Sequence, residues 1–205
     1  MQRRHALFSL FKKEGKESFA RNLETRGFQM WASGGTATYL SSKGIAVHDV
    51  AKLVGPAILG HRVVTLSREI HASLLARKIP EDLAELERLG LPWMDLVYVD
   101  LYPLVQEIAR VGHTFESVIE KTDIGGPTML RSATKGRRLV LSAPKHVVWV
   151  ERYLDREDEW PPDLKEAFIS RLGAEAEKLV SRYASASSKF LRSQSNHPRL
   201  IDIIA

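Results

Sequence analysis

Two hundred and five residues, 44% hydrophobic and 27% charged, fit one globular domain over 1–205, since about 100 to 200 residues is the usual allotment. The absence of cysteine excludes disulfides, thiolate metal sites and a cysteine nucleophile, and it suits a reducing compartment. Thirty basic against twenty-five acidic residues leave a net charge of +5, a long-range preference for phosphorylated ligands that identifies no site.

In chain order, Arg3 and Arg4 precede Ala6-Leu7-Phe8, but Lys12 and Lys13 close that run before the apolar segment of about 7 to 15 residues that a signal peptide needs. No run approaches the roughly 20 apolar residues of a membrane span. A cytoplasmic protein with no membrane partner is therefore expected. Short apolar runs at His5 to Leu10, Phe28 to Ser33, Ile45 to Val50, Leu96 to Leu101 and Arg138 to Ser142 read as strands. Between them, Phe19, Ala20 and Leu23 before Arg26-Gly27 mark a helix, Thr36 to Lys43 a second, and Pro80 to Leu89 a third with proline and acids at its start. Strands alternating with helices predict an α/β fold, a central parallel sheet flanked by helices. From about 144 to 191 the texture turns helical. Lys165 to Leu191 predicts a long helix or helix pair, after a charged loop over Asp155 to Pro162.

Three motifs carry candidate chemistry. Ala32-Ser33-Gly34-Gly35-Thr36-Ala37 lies where a strand gives way to a helix. Glycines there admit close backbone approach, and free amides at a helix start favour a phosphate; a structural turn with a capping hydroxyl would use the same residues. Thr122-Asp123-Ile124-Gly125-Gly126-Pro127-Thr128 opens another helix with Pro127 at its first position, and Arg131 and Lys135 then fall one turn apart on one face. A capping aspartate and a solvated basic face would also account for that segment, although a cap alone does not need two glycines. Tyr102 follows a strand end, where open parallel sheets bind ligands, and equally where aromatic packing is common. Tyr102, Gly34 and Ser9 would share that rim.

The histidines, His48, His71, His113 and His146 among them, form no recognisable metal pattern. There is no G-x-S-x-G elbow and no complete Walker loop. Dispersed basic residues without interleaved aromatics argue against a nucleic-acid face.

Taken together, Ala6-Leu7-Phe8-Ser9, Lys13 with Gly15, Ser33-Gly34-Gly35-Thr36-Ala37, Arg62-Val63 with Thr65-Leu66, His71, Asp100-Leu101-Tyr102-Pro103 and the segment from Asp123 to Lys135 resemble the inosine monophosphate cyclohydrolase domain of the bifunctional AICAR transformylase/IMP cyclohydrolase family. The resemblance runs from about Arg4 to Leu191 and is most specific between Asp123 and Lys135. It implies a methylglyoxal synthase-like fold, a homodimer, no cofactor, no metal, and a small-molecule ribonucleotide as substrate. The implied reaction closes the ring of a formamido-imidazole-carboxamide ribotide, formyl-AICAR, to inosine monophosphate and water in purine biosynthesis. Nothing in the chain corresponds to the transformylase domain. By the same resemblance, Ser9, Lys13, Ser33, Gly34, Gly35 and Thr36 form the phosphate end. Arg62, Thr65, Ile124, Gly125 and Gly126 belong with Asp123 to the nucleoside end. Tyr102, Asp123 and Lys135 form the catalytic group.

Two departures stand out. The family's R-V-K-T-L-H-P-K-x-H is here Arg62 to His71 with Val64 in place of a lysine implicated in catalysis, and S-x-S-D-K-T-G becomes Ser9 to Gly15 without its middle serine, acid and threonine. Lys12 or Lys13 is placed to compensate in the second, Arg68 in the first. Val64 keeps open two other readings. One is a diverged enzyme closing the ring of another formamido-carboxamide nucleotide, such as a pyrazole C-nucleotide in nucleoside-antibiotic synthesis. The other is a non-catalytic nucleotide-binding regulator.

Overall fold

The computed structural model describes residues 3–60 and 62–195. Five strands, β1 (Arg4–Leu10), β2 (Phe28–Ala32), β3 (Val47–Asp49), β4 (Leu96–Asp100) and β5 (Leu139–Leu141), form one sheet in the order β3-β2-β1-β4-β5. Every pairing is parallel, with Ala6 opposite Met30 on one side and Leu96 on the other. The expected α/β architecture is therefore the one observed, and each expected strand has its counterpart, β1 one residue longer at its start and the other four trimmed at their ends.

Helices close both faces. Phe8, Leu10, Met30 and Tyr98 point to α1 (Glu17–Thr25), α2 (Gly34–Ser42) and α9 (Lys145–Asp155). Leu7, Val97, Val99 and Val140 point the other way, to α4 (Arg68–Leu75) and α8 (Gly125–Lys135). Successive strand residues thus feed opposite cores, which is why these runs read as continuously apolar rather than alternating. The texture after 144 resolves into α9 and a single long helix, α10 (Pro162–Gln194), rather than a pair. α10 crosses α8 where Gly173 faces Thr134: a Cβ there would come within 2.9 Å of its methyl. The charged stretch before α10 is only partly a loop. Glu157–Glu159 make a 3-10 turn, and Trp160 packs against Tyr153 and Phe168.

Several short helices escape the periodic reading: α3 (Ala51–Val54), α4, α6 (Leu104–Ala109) and α7 (Phe115–Glu120). Each spans eight residues or fewer, too short to show a helical apolar stripe. α5 (Pro80–Arg88) agrees with its end signals. Just past α8, Arg138 is almost wholly buried and stacks 3.5 Å over the Trp93 ring. Its guanidinium donates to the carbonyls of Leu74 and Ala76 at the end of α4, satisfying orphan helix carbonyls with a charge suited to that end.

Candidate functional site

The carboxyl ends of β2, β1 and β4 lie side by side, with Phe8 opposite Ala32 and Leu10 opposite Asp100, so that Ser33, Ser9 and Asp100 all fall at this rim. At the β1–β2 end, the Ser9 and Ser33 hydroxyls are 3.2 Å apart. Ser33 is extended and precedes α2, but its side chain caps nothing; the Thr36 amide donates to the Ser33 carbonyl at 2.7 Å, which leaves the Gly34 and Gly35 amides at the rim without a helical acceptor. Gly34 and Gly35 belong to that turn rather than to a preceding loop. Lys13 reaches over it: a Cβ on Gly35 would lie 3.6 Å from Lys13 Cε, and the ammonium donates to the Phe11 carbonyl at 3.1 Å. A helix start with open amides, two hydroxyls and an ammonium suits a phosphate.

Thr36 serves differently from its sequence reading. It is buried, and its hydroxyl accepts the Leu10 amide at 3.0 Å. It ties α2 to the end of β1 instead of facing a ligand. Of the two compensating lysines, Lys13 sits at the loop, while the Lys12 amide donates to Asp100 at 2.7 Å.

At the β4 end, Asp123 is held in a tight turn. Its carboxylate accepts the Gly126 amide at 2.8 Å and the Tyr102 amide at 3.4 Å. The capping reading of this aspartate is thus correct in chemistry. Burial nevertheless outweighs those two hydrogen bonds and pushes its carboxyl above the usual range. Tyr102 is also raised, by burial first and then by the nearby Asp123 and Glu120 carboxylates. From α10, the Tyr183 hydroxyl accepts the Asp123 amide at 2.8 Å and donates to the Lys121 carbonyl at 2.9 Å. Burial raises that phenol to about 12, so it stays protonated for the task.

Both glycines of this turn are demanded by packing. A Cβ on Gly125 would lie 2.6 Å from Thr65 Oγ1, and one on Gly126 would lie 2.6 Å from both Asp123 Oδ2 and Leu101 Cδ2. Thr65, nearly buried, therefore presses on the start of α8, while Ile124 projects outward. Helix α8 begins at Gly125, so Pro127 is its third residue rather than its first, still within the turn whose amides lack helical acceptors.

Other expected residues are dispersed. Arg62 pairs with Glu120 at 2.9 Å, close in sequence to Asp123 but turned to a partner of its own. Lys135 is exposed at the far end of α8. Ten residues beyond Gly125 it stands roughly 15 Å along the axis, farther than a lysine side chain spans. Within one chain the structure brings Tyr102 and Asp123 together and leaves Lys135 apart from them. Val64 is partly buried and packs against the core cluster that includes residues of α4 and α8. Arg68 does not replace the missing lysine there, because it is exposed and pairs with its neighbour Glu69. The sequence reading missed Phe11, whose ring meets Tyr102 edge-on at 5.4 Å, and Lys121, which lies over both rings. Only their closeness to Ser9 and Asp123 in the chain signals them.

Among the described residues, no group of three or more acids or histidines is arranged to hold a metal ion. Nor is any helix there long and apolar enough to cross a membrane.

Comparisons with known proteins agree with this fold. The structure of ForH is 30% identical in sequence and superposes with a TM-score of 0.75, covering 93% of this chain and 100% of that one. A family model described as the MGS-like domain matches residues 15–128, from the turn after Lys13 through the glycines of the Asp123 turn. The chain belongs to the MGS-like domain family.

Proposed function

We propose that this protein is a ring-closing cyclohydrolase acting on a formamido-carboxamide ribotide, the formyl-AICAR type in the first instance. The observation that carries the reading is the two-ended rim: a helix start with Ser9, Ser33 and Lys13 at one end, and at the other a half-buried Asp123, its carboxyl raised by burial, beside Tyr102. The first end suits the 5′-phosphate and leaves the heterocycle toward the second.

In ring closure the carboxamide nitrogen adds to the formyl carbon and the carbonyl electron pair moves to oxygen. One proton from the attacking nitrogen and one from the formamido nitrogen then leave with that oxygen as water. A carboxylate with a raised pKa suits the transfer of the first proton, because a base works best when its pKa approaches the operating pH. Tyr102, held protonated, suits donation to the developing oxyanion.

The test is to incubate purified protein with formyl-AICAR and follow inosine monophosphate. Formation above the spontaneous rate supports the reading, and its absence removes it. A second reading, closure of a pyrazole C-nucleotide analogue, is favoured by Val64: the position of the family's lysine holds a partly buried side chain packed against the core, so the site differs there from the pattern it resembles. Turnover of the pyrazole substrate without turnover of formyl-AICAR would select it. Tight binding of inosine monophosphate with no turnover of either would select a nucleotide-binding regulator.

A further inference from the structure

We infer that Lys121 determines which base this site accepts, its ammonium donating to a ring carbonyl while Asp123 accepts the adjacent ring N–H. The inference rests on the ribotide reading above and adds to it the residue that reads the heterocycle.

Lys121 immediately follows α7 and stands two residues before Asp123. The Tyr183 hydroxyl bonds the backbone at both positions, so α10 pins the turn that carries both side chains. The Lys121 ammonium lies 5.7 Å from the centre of the Phe11 ring and 6.0 Å from that of Tyr102, within the reach of a cation–π attraction. The Asp123 carboxylate accepts the backbone amide of the same Tyr102 at 3.4 Å. Cation and carboxylate therefore converge on one residue at the end of β4. Of the other cations, Arg62 pairs with Glu120, Arg68 with Glu69, Lys13 stands at the phosphate end and Lys135 lies a helix length away; Lys121 has the Glu107 carboxylate near enough to feel its charge, but among the described residues no hydrogen bond fixes its ammonium there.

A donor beside an acceptor matches a lactam edge, a carbonyl next to an N–H. An amino-substituted ring reverses both partners, setting donor against donor and acceptor against acceptor. Discrimination of this kind is strong because the wrong base leaves polar groups unpaired. Inosine monophosphate carries the lactam edge and adenosine monophosphate the reversed one.

The test is calorimetric titration of wild type, Lys121→Met and Lys121→Arg with those two nucleotides, with ribose 5-phosphate as the phosphate control. Wild type should bind inosine monophosphate at least about tenfold more tightly than adenosine monophosphate, the scale of one charged hydrogen bond. Lys121→Met should close that gap without lowering the melting temperature, since the turn is held through its backbone. Lys121→Arg, which keeps the charge, should restore part of it. If both nucleotides bind and the gap survives Lys121→Met, the assignment to Lys121 fails while the ribotide reading stands. If wild type binds neither nucleotide, the ribotide reading fails and takes this inference with it.

Discussion

The two glycine pairs, Gly34-Gly35 and Gly125-Gly126, each open a helix at the rim, yet they answer to different demands. Neither pair uses a positive φ, so conformational freedom explains neither. At Gly125 and Gly126 an added Cβ would strike Thr65, Asp123 and Leu101 at 2.6 Å; at Gly34 and Gly35 it would meet only ordinary contacts at 3.6 to 3.9 Å. The fold requires glycine at the second pair and merely permits it at the first. What Gly34 and Gly35 leave open is access to their own amides at the start of α2, as the proposed phosphate contact requires. The same two letters thus mark packing in one motif and an open approach in the other.

Gly126→Ala should have the largest effect. Two neighbours at 2.6 Å, one of them the carboxylate that accepts the glycine's own amide, cannot both yield cheaply, and overpacking of this kind costs about 1 to 3 kcal/mol. At about 2 to 4 °C per kcal/mol for a chain of this size, thermal denaturation should show a fall of several degrees. Gly125→Ala should be milder and should be rescued by Thr65→Ala, because the obstacle is a single hydroxyl at the end of a short side chain. An unshifted midpoint for Gly126→Ala would remove the distinction between the pairs.

This division was only half legible in the sequence. The apolar runs and their glycine stops disclose the strands and most longer helices, because each is a local pattern of period and end chemistry. The Asp123 turn is legible as a cap for the same reason. What joins Asp123 to the rest of the site is not local. Tyr183 reaches it from 60 residues away, Thr65 presses on Gly125 from a loop with no periodic signal, and Tyr102 meets Phe11 across two strands. Lys135 shows the reverse case. A continuous motif places it beside Asp123 on paper, and the helix that the motif forms sets it at the other end within one chain. Val64, a substitution in the pattern, becomes intelligible only once its side chain is seen packed against the core.

Thr36→Val sharpens the comparison from the α2 side and should come next in size. The variant keeps the shape but leaves the Leu10 amide without its acceptor in a buried position, a loss of about 1 to 3 kcal/mol. Denaturant unfolding should register it as a lower midpoint with an unchanged slope. Gly35→Ala, by contrast, should leave the midpoint within about 0.5 kcal/mol of wild type, because Lys13 lies at contact distance and its side chain can shift. The same variant should weaken inosine monophosphate about tenfold, the equivalent of about 1.4 kcal/mol, by holding the phosphate off the helix amides. Wild-type affinity in Gly35→Ala would mean that the phosphate does not sit at this loop.

The smallest effect concerns the charge on Asp123, and its sign discriminates between two forces on one carboxylate. Burial raises the carboxyl pKa from its ordinary 3.8, while the hydrogen bonds from Gly126 and Tyr102 pull it down, and burial is the larger. A native state that holds the proton more tightly than the unfolded chain gains stability from it fully below the unfolded pKa. That gain disappears as pH rises through the native one. Asp123→Asn removes the titration and retains one oxygen to accept the Gly126 amide. Groups that titrate identically in both proteins cancel in the difference between them. The stability of wild type relative to Asp123→Asn should therefore be greatest in acid, decline as pH rises through the upper carboxylate range, and become level toward neutrality. Urea unfolding of both proteins from about pH 3 to pH 8 measures that difference directly. A relative stability that climbs with pH instead would mean that the two amides, not burial, govern this carboxylate. Asp123 would then hold its proton less tightly than a free aspartate, without the raised proton affinity that the proposed base in ring closure draws on.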